Sequence, residues 1–364
     1  MYRYSNLRQE IFNPNFIFVS KILSGFLNPI YFFLNLFKTK SSYNKDKIKT
    51  IVITEYYCIG DIYIILPAVE SLHKHFFNAK IILICSIEAE PLAKNIEFFD
   101  EVIPFNAPWK EKPLNLIKIW QSRDFARSLR DKDIDLAIDF RGDIRNNWFL
   151  YQIKSKYSIG YNFTGGHYFI DKANIFPHHL HQKDRALNLV NSIGVKPFIK
   201  RKEQRRNQSG YIVLHPGAGD SRRTWSNKLW IELIKILSDK HKIAIVKVPE
   251  TKDLIDELKT DNKSIKIFSG DLIDFNSWLK NQRLLVGPDS MAGHLAAYLN
   301  IPVVSIFGSQ NPELTKPIGF NVKVLKPNGN CKHNRKHWRL CKECINMVKP
   351  SEVFNVINQV LKIK

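Results

Sequence analysis

A small polar turn joins an apolar strand to a helix within residues 285–297. The backbone N–H groups of residues 290–293 would lack partners at the start of that helix, where the helix dipole also favours negative charge. The turn therefore predicts a site for a diphosphate group. The alternative is an ordinary strand-to-helix junction, in which Asp or Ser only caps the helix. The candidate contacts are Asp289, Ser290, Met291, Ala292, Gly293 and His294.

A second candidate is the turn Ile59-Gly60-Asp61, which follows one apolar strand and leads into a helix. Gly60 permits a tight turn because it has no Cβ atom. The carboxylate of Asp61 predicts a general base that takes a proton from a hydroxyl group. Its alternative role is to cap the helix.

Polar residues follow two further predicted strands. A glycine-rich turn contains His215 and Gly217, and the adjacent Arg222 and Arg223 predict a clamp for a phosphate group. The alternative is that both arginines are solvated loop residues. Glu250 lies at the end of another predicted strand and is the third polar residue in such a position.

Three cysteines near the end of the chain have the spacing C-x9-C-x2-C, at Cys331, Cys341 and Cys344. His333 and His337 lie between them, so the segment has the composition of a zinc or iron site. Reduced loop thiols are the alternative. The odd total of five cysteines predicts no disulfide framework, and the absence of a secretory signal favours a reducing compartment.

The chain has 364 residues and a formal net charge of +21, which attracts anions of every kind. Its basic residues are dispersed, and it contains none of the usual modules that read nucleic acid. We therefore expect anionic small molecules or lipid headgroups as partners, and no nucleic acid. The sequence leaves the oligomeric state open.

Residues 16–37 are apolar and aromatic, but Lys21, Asn28 and Pro29 interrupt them. A bilayer span is therefore disfavoured, and no small-residue cleavage site follows that would indicate a signal peptide. The pattern predicts an amphipathic anchor lying in a membrane interface. The alternative is an extra pair of helices packed on the domain. The basic residues that could meet anionic headgroups are Lys21, Lys38, Lys40, Lys45 and Lys47.

Two series of alternating strands and helices follow, which predicts two doubly wound parallel α/β domains. The predicted strands are 48–54, 81–85, 102–105 and 134–140, with a helix at 62–77, and then 211–215, 243–248, 265–268, 283–287 and 303–307. A polar segment, 196–210, predicts the linker. We expect an extension at 1–47, domains at 48–200 and 201–349, and a final helix within 350–364 that packs back on the first domain.

The order of these motifs resembles glycosyltransferase family 9, the heptosyltransferases of bacterial lipopolysaccharide core assembly. The resemblance covers the chain from about residue 48 onward. Its motifs are Ile59-Gly60-Asp61, Leu66-Pro67-Ala68, Asp139-Phe140-Arg141-Gly142, Ile159-Gly160-Tyr161, His215-Pro216-Gly217-Ala218, Arg223 two residues before Trp225, Gly287-Pro288-Asp289-Ser290, His294-Leu295-Ala296-Ala297 and Ile306-Phe307-Gly308.

The resemblance implies a GT-B fold, with two Rossmann-like domains facing across a cleft. It also implies inverting transfer from ADP-L-glycero-D-manno-heptose to an anionic glycolipid acceptor, without a required metal cofactor. Such an enzyme would work in the cytoplasm, peripherally on the inner membrane. The domain that begins near residue 48 would bind the acceptor, with Asp61 as base and Gly60, Arg141 and Arg145 as acceptor contacts.

The second domain would bind the donor. By resemblance, Asp289 holds the sugar, Glu250 lies near the nucleoside, and Arg223, with Arg222, stabilises the leaving diphosphate. Met291 stands where the family usually has glycine, and the segment 55–58 differs from the usual basic and small residues. These departures leave two alternatives open: a transferase that uses another sugar nucleotide, or a non-catalytic membrane-associated protein that binds one.

Overall fold

The structure, a computed structural model, describes residues 12–37, 43–110, 115–198, 209–259, 265–329, 331–334 and 336–362. The chain forms two compact units, one within Glu10–Ile199 and the other within Lys200–Lys364. Each contains one six-stranded sheet in which all paired strands are parallel. The prediction of two doubly wound α/β domains is confirmed. Most of the predicted linker, at 199–208, lies outside the described residues, as do Lys38 and Lys40.

The first sheet has the strand order β3-β2-β1-β4-β5-β6. Its central strands are almost continuously buried because helices cover both faces of a parallel sheet. Its elements are α1 Pro14–Leu36, β1 Thr50–Glu55, α2 Ile59–His75, β2 Lys80–Cys85, α3 Glu90–Ala93, β3 Glu101–Pro104, α4 Leu116–Ser128, β4 Leu136–Asp139, α5 Ile144–Ile153, β5 Tyr157–Asn162, β6 Lys172–Ile175 and α6 Gln182–Asn191.

The second sheet has the order β12-β11-β10-β7-β8-β9. Its elements are β7 Ile212–Leu214, α7 Asn227–Ser238, β8 Ile243–Val246, α8 Lys252–Lys259, β9 Lys266–Phe268, α9 Leu272–Leu279, β10 Leu284–Pro288, α10 Met291–Tyr298, β11 Val303–Ile306, α11 Pro312–Thr315, β12 Val322–Leu325, α12 Lys342–Ile345 and α13 Pro350–Lys362.

The hydrophobic patterns missed three strands: β5, which the sequence contains only as the family motif Ile159-Gly160-Tyr161, and the edge strands β6 and β12. The two edge strands have four residues each, and neither contains a fully buried one, so they lack the apolar run that marks a central strand. The helix predicted from residue 62 begins at Ile59, which brings Asp61 into its first turn.

The last helix, α13, packs in the second unit, so the expectation that it returns to the first domain is wrong. Val353, Ile357 and Val360 join the core formed by α7 and the second sheet. Their spacing places all three on one face of the helix. That apolar face therefore packs into the core of the second unit, against α7 and the neighbouring strands.

One face of helix α1 packs against the rest of the first unit. The hydroxyl of Ser24 accepts a hydrogen bond from Gly166 N–H at 3.0 Å, and Asn35 Nδ2 donates to Tyr168 O at 3.0 Å. The ring of Tyr31 stacks on Tyr168, with centroids 5.3 Å apart. The opposite face exposes large apolar side chains, namely Phe18, Val19, Ile22, Leu23, Phe26, Ile30, Phe32 and Phe33. The helix therefore has a docked face and an uncovered apolar face.

Candidate active site

In each sheet the strands that follow one another in sequence are added first on one side and then on the other, so that the strand order reverses at one point. This switch point lies between β1 and β4 in the first sheet and between β7 and β10 in the second. Ligands of doubly wound sheets bind outside the carboxyl ends of the strands at such a switch point. Asp61 and Arg141 follow β1 and β4, whereas Arg223 and Asp289 follow β7 and β10. The strand order thus brings residues far apart in sequence to one place in each unit.

Asp61 is not the N-cap of α2, because Cys58 has that position. One oxygen of the Asp61 carboxylate forms a salt bridge with Arg141 Nη2. The other accepts a hydrogen bond from Gln182 Nε2 at 3.1 Å. The side chain is only 16% exposed. Asp61 is therefore a fixed, partly accessible carboxylate, and Gly60 lies buried beside it in the same helical turn.

Arg141 also contacts a second carboxylate, that of Glu55, at 3.3 Å from Nη2 to Oε1. Glu55 is fully buried at the end of β1, and burial raises its pKa to about 7, although the Arg141 charge opposes the shift. Neighbouring Asp61 and Asp139 raise this pKa further. One guanidinium group thus serves two carboxylates, of which only Asp61 is accessible.

Asp139 fixes the turn that carries Arg141. Its carboxylate accepts hydrogen bonds from the N–H groups of Arg141 and Gly142 and from the side chains of Thr54 and Asn146. Gly142 has φ +73°, and a Cβ atom there would lie 2.7 Å from Tyr161 Cβ. Burial raises the pKa of Asp139 to about 6, against the opposing effect of these hydrogen bonds.

Arg145 has partners other than Asp61. Its Nε donates to Asp143 Oδ1 at 2.9 Å, and its guanidinium carbon lies 4.1 Å from the centre of the Phe16 ring. Both predicted acceptor arginines therefore have fixed side-chain partners. Arg141 is integrated with the carboxylate at Asp61, and Arg145 packs against the start of α1.

In the second unit, Arg223 reaches the turn after β10. Its Nη1 donates to Asp289 O at 3.2 Å and lies 3.4 Å from Asp289 Oδ2. His294 Nε2 lies 3.9 Å from the other Asp289 oxygen. Burial raises the pKa of Asp289, but His294 and Arg223 outweigh it, so that the pKa is lowered. The predicted residues therefore form a cluster centred on an ionised aspartate.

The predicted anion turn begins α10, with Ser290 as N-cap and Met291 as the first helical residue. Ala292 and Gly293 are buried, and a Cβ atom at Gly293 would lie 3.2 Å from Pro317. The Ser290 hydroxyl makes no capping bond. Within the described residues, Ser290 Oγ, His294 Nδ1 and Arg223 Nε are buried atoms without a hydrogen-bond partner.

The two arginines that follow the neighbouring glycine-rich turn have different roles. Arg222 is bound to Asp220, with 2.8 Å from Nε to Oδ1 and 2.6 Å from Nη2 to Oδ2. This hydrogen-bonded pair lowers the pKa of Asp220 to about 2. Arg222 thus shapes its own loop, and Arg223 alone of the two joins the Asp289 cluster.

His215 and Gly217 shape the start of the same turn. The His215 ring donates from Nδ1 to Gly217 O at 3.1 Å, and burial lowers its pKa. A Cβ atom at Gly217 would lie 2.7 Å from Val248 Cγ2 and 3.4 Å from Glu250 Oε2. The exposed Glu250 carboxylate therefore borders this turn. The order of residues in the sequence does not show this contact.

The structure also brings together Cys331, Cys341 and Cys344 in the second unit. His333 joins them, and the four ligand atoms all lie within 4.8 Å of one another. His337 has a different role, because its Nδ1 accepts hydrogen bonds from Arg339 and Leu340 N–H groups.

Sequence reasoning missed two residues of the Asp61 cluster. The sequence marks Glu55 only as part of the segment 55–58 that departs from the family pattern, and no motif contains Gln182. A lone acidic residue at the end of a buried strand could have marked Glu55, because burial of an unpaired carboxylate is costly. Gln182 starts α6 some 121 positions after Asp61, so that no local signal connects them.

Comparisons with known proteins identify the family and the fold of this chain. A family model described as glycosyltransferase family 9 (heptosyltransferase) matches residues 122–344. Lipopolysaccharide heptosyltransferase 3 of Escherichia coli K12 is 24% identical over 168 residues, which make up 40% of this chain and 49% of the relative. The chain thus matches about half the length of that curated relative.

Two solved structures show the same fold. E. coli heptosyltransferase WaaC with ADP has a TM-score of 0.70 and 16% identity, over 85% of this chain and 99% of that one. The iron-containing dodecameric glycosyltransferase TibC from enterotoxigenic E. coli H10407 has a TM-score of 0.50 and 15% identity, over 86% and 77% of the two chains. The first of these is a GT-B enzyme described with the nucleotide ADP.

Proposed function

The chain belongs to glycosyltransferase family 9, the heptosyltransferase family, and we propose that it transfers heptose from ADP-L-glycero-D-manno-heptose to a lipopolysaccharide core acceptor. The observation that carries this proposal is the pairing of Asp61 with Arg141 at one switch point and of Arg223 with Asp289 at the other. The first pair contains Asp61, the proposed general base. The second contains Arg223, whose positive charge would bind a diphosphate.

Asp61 is proposed as the general base. An inverting transfer needs a group that takes the proton of the acceptor hydroxyl while its oxygen attacks the anomeric carbon. Arg141 and Gln182 each engage one oxygen of the Asp61 carboxylate, and every carboxylate oxygen retains a further lone pair. The carboxylate is therefore oriented and can still accept a proton.

The leaving group is proposed to be stabilised by Arg223 and by the backbone N–H groups at the start of α10. Negative charge grows on the diphosphate as the bond to the sugar breaks, so that fixed donors bind the transition state more strongly than the ground state. Ser290 Oγ and Arg223 Nε lack partners within the described chain, and a bound diphosphate would supply acceptors. Glu250 and Asp289 are the proposed contacts of the nucleoside and the donor sugar.

A glycolipid acceptor would require the enzyme to work at a membrane, and α1 is the proposed anchor. Among the described residues, this one helix is long and apolar enough to span a bilayer by its length and composition, and most of it is not buried in the fold. However, contacts from Phe16 to Asn35 dock its length on the first unit. A helix held in this way favours a position in the interface of the cytoplasmic membrane face, with its aromatic face in the lipid.

A screen of sugar nucleotides by native mass spectrometry, followed by assays of donor consumption, tests the proposal. ADP-heptose should bind and be turned over, whereas UDP- and GDP-sugars should bind more weakly. Turnover of a UDP- or GDP-sugar in place of ADP-heptose would reject the proposed donor. Tight binding of ADP-heptose without turnover, with every acceptor tried, would instead favour a protein that only binds the nucleotide sugar.

A further inference from the structure

Three sulfur atoms surround one nitrogen atom in the second unit. His333 Nδ1 lies 3.8 Å from Cys331 Sγ, 3.6 Å from Cys341 Sγ and 3.5 Å from Cys344 Sγ. Cys341 and Cys344 are buried, and none of the three cysteines forms a disulfide. The cluster shares no residue with the Asp61 and Asp289 clusters, and neither proposed step of the transfer uses it.

Hydrogen bonding between thiols and the imidazole ring does not account for this arrangement. A neutral imidazole has a single acceptor nitrogen with one lone pair in the ring plane, which accepts one S–H donor. Three sulfur atoms at nearly equal distances from the same nitrogen leave at least two thiols without that bond. A cation at the centre would attract all four atoms at once.

The distances match the edges of a tetrahedron. In tetrahedral zinc sites the Zn–S bond is about 2.3 Å and the Zn–N bond about 2.0–2.1 Å, which places sulfur and nitrogen about 3.6 Å apart. The three observed separations, from 3.5 to 3.8 Å, lie around this value. The pattern C-x-H-x7-C-x2-C also ends in the C-x2-C spacing that such sites commonly use.

We propose that Cys331, His333, Cys341 and Cys344 bind one divalent transition-metal ion, Zn²⁺ or Fe²⁺, in a closed structural site. Each cysteine releases its thiol proton to solvent and forms a bond to the metal through the thiolate, while neutral His333 binds through Nδ1. Both ions suit a tetrahedral set of soft ligands. No position remains for a water molecule, so the ion has no part in the chemistry of transfer.

The site would fasten a segment that has little regular structure of its own. Cys341 N–H donates to Ser309 Oγ at 2.9 Å, and that hydroxyl donates to Arg339 O at 3.1 Å, which attaches the segment to the loop after β11. After the last ligand, Asn346 Oδ1 accepts from Ser226 N–H and Val348 O from Trp225 Nε1. The ion would therefore stabilise the segment whose hydrogen bonds hold Trp225 and Ser226, next to the loop that carries Arg223.

Metal analysis of the full-length protein, purified without a polyhistidine tag, tests the site. We expect about one equivalent of zinc or iron to remain bound through gel filtration. His333→Gln and Cys331→Ser should lose most of it. The matched control is His337→Gln, which changes a histidine of the same segment that bonds to backbone N–H groups, and it should keep the metal.

Cobalt provides a measurement that does not depend on how well a variant folds. Wild-type protein, stripped with a chelator and loaded with Co²⁺, should show the visible absorption bands of a tetrahedral cobalt–thiolate site, and chelation should lower its thermal midpoint. Substoichiometric metal in wild type, equal metal in wild type and His333→Gln, or an octahedral cobalt spectrum would each overturn the proposal.

Discussion

Asp61 and Arg141 lie 80 positions apart in sequence and form a salt bridge beyond the carboxyl ends of adjacent strands. Arg141 simultaneously contacts the buried Glu55, so one cation balances two carboxylates. These contacts distinguish the roles of Asp61 and Glu55, which the sequence motifs do not. Asp61 is partly accessible and suited to proton transfer, whereas Glu55 is sealed from solvent and contacts the same guanidinium group.

Replacing Asp61 by Asn should lower kcat by about 10²–10⁴-fold, because it removes a general base at nearly constant shape. Affinity for the donor, measured by calorimetry, should change little, since Asp61 belongs to the first unit and the proposed donor contacts belong to the second. Asp124→Asn is the matched control, because that carboxylate is 64% exposed on α4. Near-normal turnover in folded Asp61→Asn protein would remove Asp61 from the mechanism.

ADP should raise the thermal midpoint more than UDP or GDP does, and Arg223→Ala should abolish most of that shift. The neighbouring Arg222→Ala offers a matched comparison, because Arg222 is bound to Asp220 rather than to the Asp289 cluster. It should retain a larger share of the shift in a thermal denaturation assay. Equal losses in the two variants would show that Arg223 has no special contact with the diphosphate.

Glu55→Gln should change the pH dependence of stability. Burial raises the pKa of Glu55 from 4.5 to about 7, so the folded state keeps a proton that the unfolded state releases. Stability must therefore fall as the pH rises from about 4.5 to about 7, and the penalty is complete above that window. The groups that set this pKa, Arg141, Asp61 and Asp139, remain in the variant.

Denaturant unfolding at about pH 5 and about pH 8 measures this effect. The loss of unfolding free energy between the two pH values should be smaller in Glu55→Gln than in wild type, by on the order of 1–3 kcal/mol. Asp139, whose pKa is raised to about 6, titrates in the same window and should leave a residual slope in both proteins. Identical slopes would mean that Glu55 ionises normally.

Phe18→Glu combined with Phe26→Glu should weaken binding to anionic vesicles, because both side chains lie on the uncovered face of α1, with 67% and 74% exposure. Wild type should co-sediment with such vesicles and be partly released by high salt. Phe77→Glu is the control, since this equally exposed aromatic lies outside α1. If wild type fails to bind vesicles, α1 serves the fold alone.

The sequence was sufficient for the parts of the fold and site that rest on local patterns. The buried runs of β1 and β10 and the turns that follow them predicted both sheets and placed Asp61 and Asp289 at strand ends. It could not show which side chains meet. The salt bridge of Asp61 with Arg141 and the hydrogen bond from Gln182 depend on strand order and on the path of α6, neither of which leaves a periodic signal.

For the same reason, the sequence could not assign roles within the cysteine–histidine cluster or within the arginine pair. Spacing identified three cysteines and two histidines, but only the folded loop distinguishes His333, which faces the sulfur atoms, from His337, which caps a turn. Similarly, adjacent Arg222 and Arg223 look equivalent in sequence. Their roles separate because Asp220 binds the first, which leaves the second to reach Asp289.

The central claim is that Asp61 and Arg223 serve one transfer of heptose from an ADP donor to a lipopolysaccharide core. The most direct test incubates the full-length protein with ADP-heptose and a set of core lipopolysaccharides truncated before each heptose, and examines the products by mass spectrometry. One truncated acceptor should gain a single heptosyl unit with release of ADP, and Asp61→Asn protein should form that product far more slowly. No mass gain on any acceptor, from folded protein that binds ADP-heptose, would contradict the account.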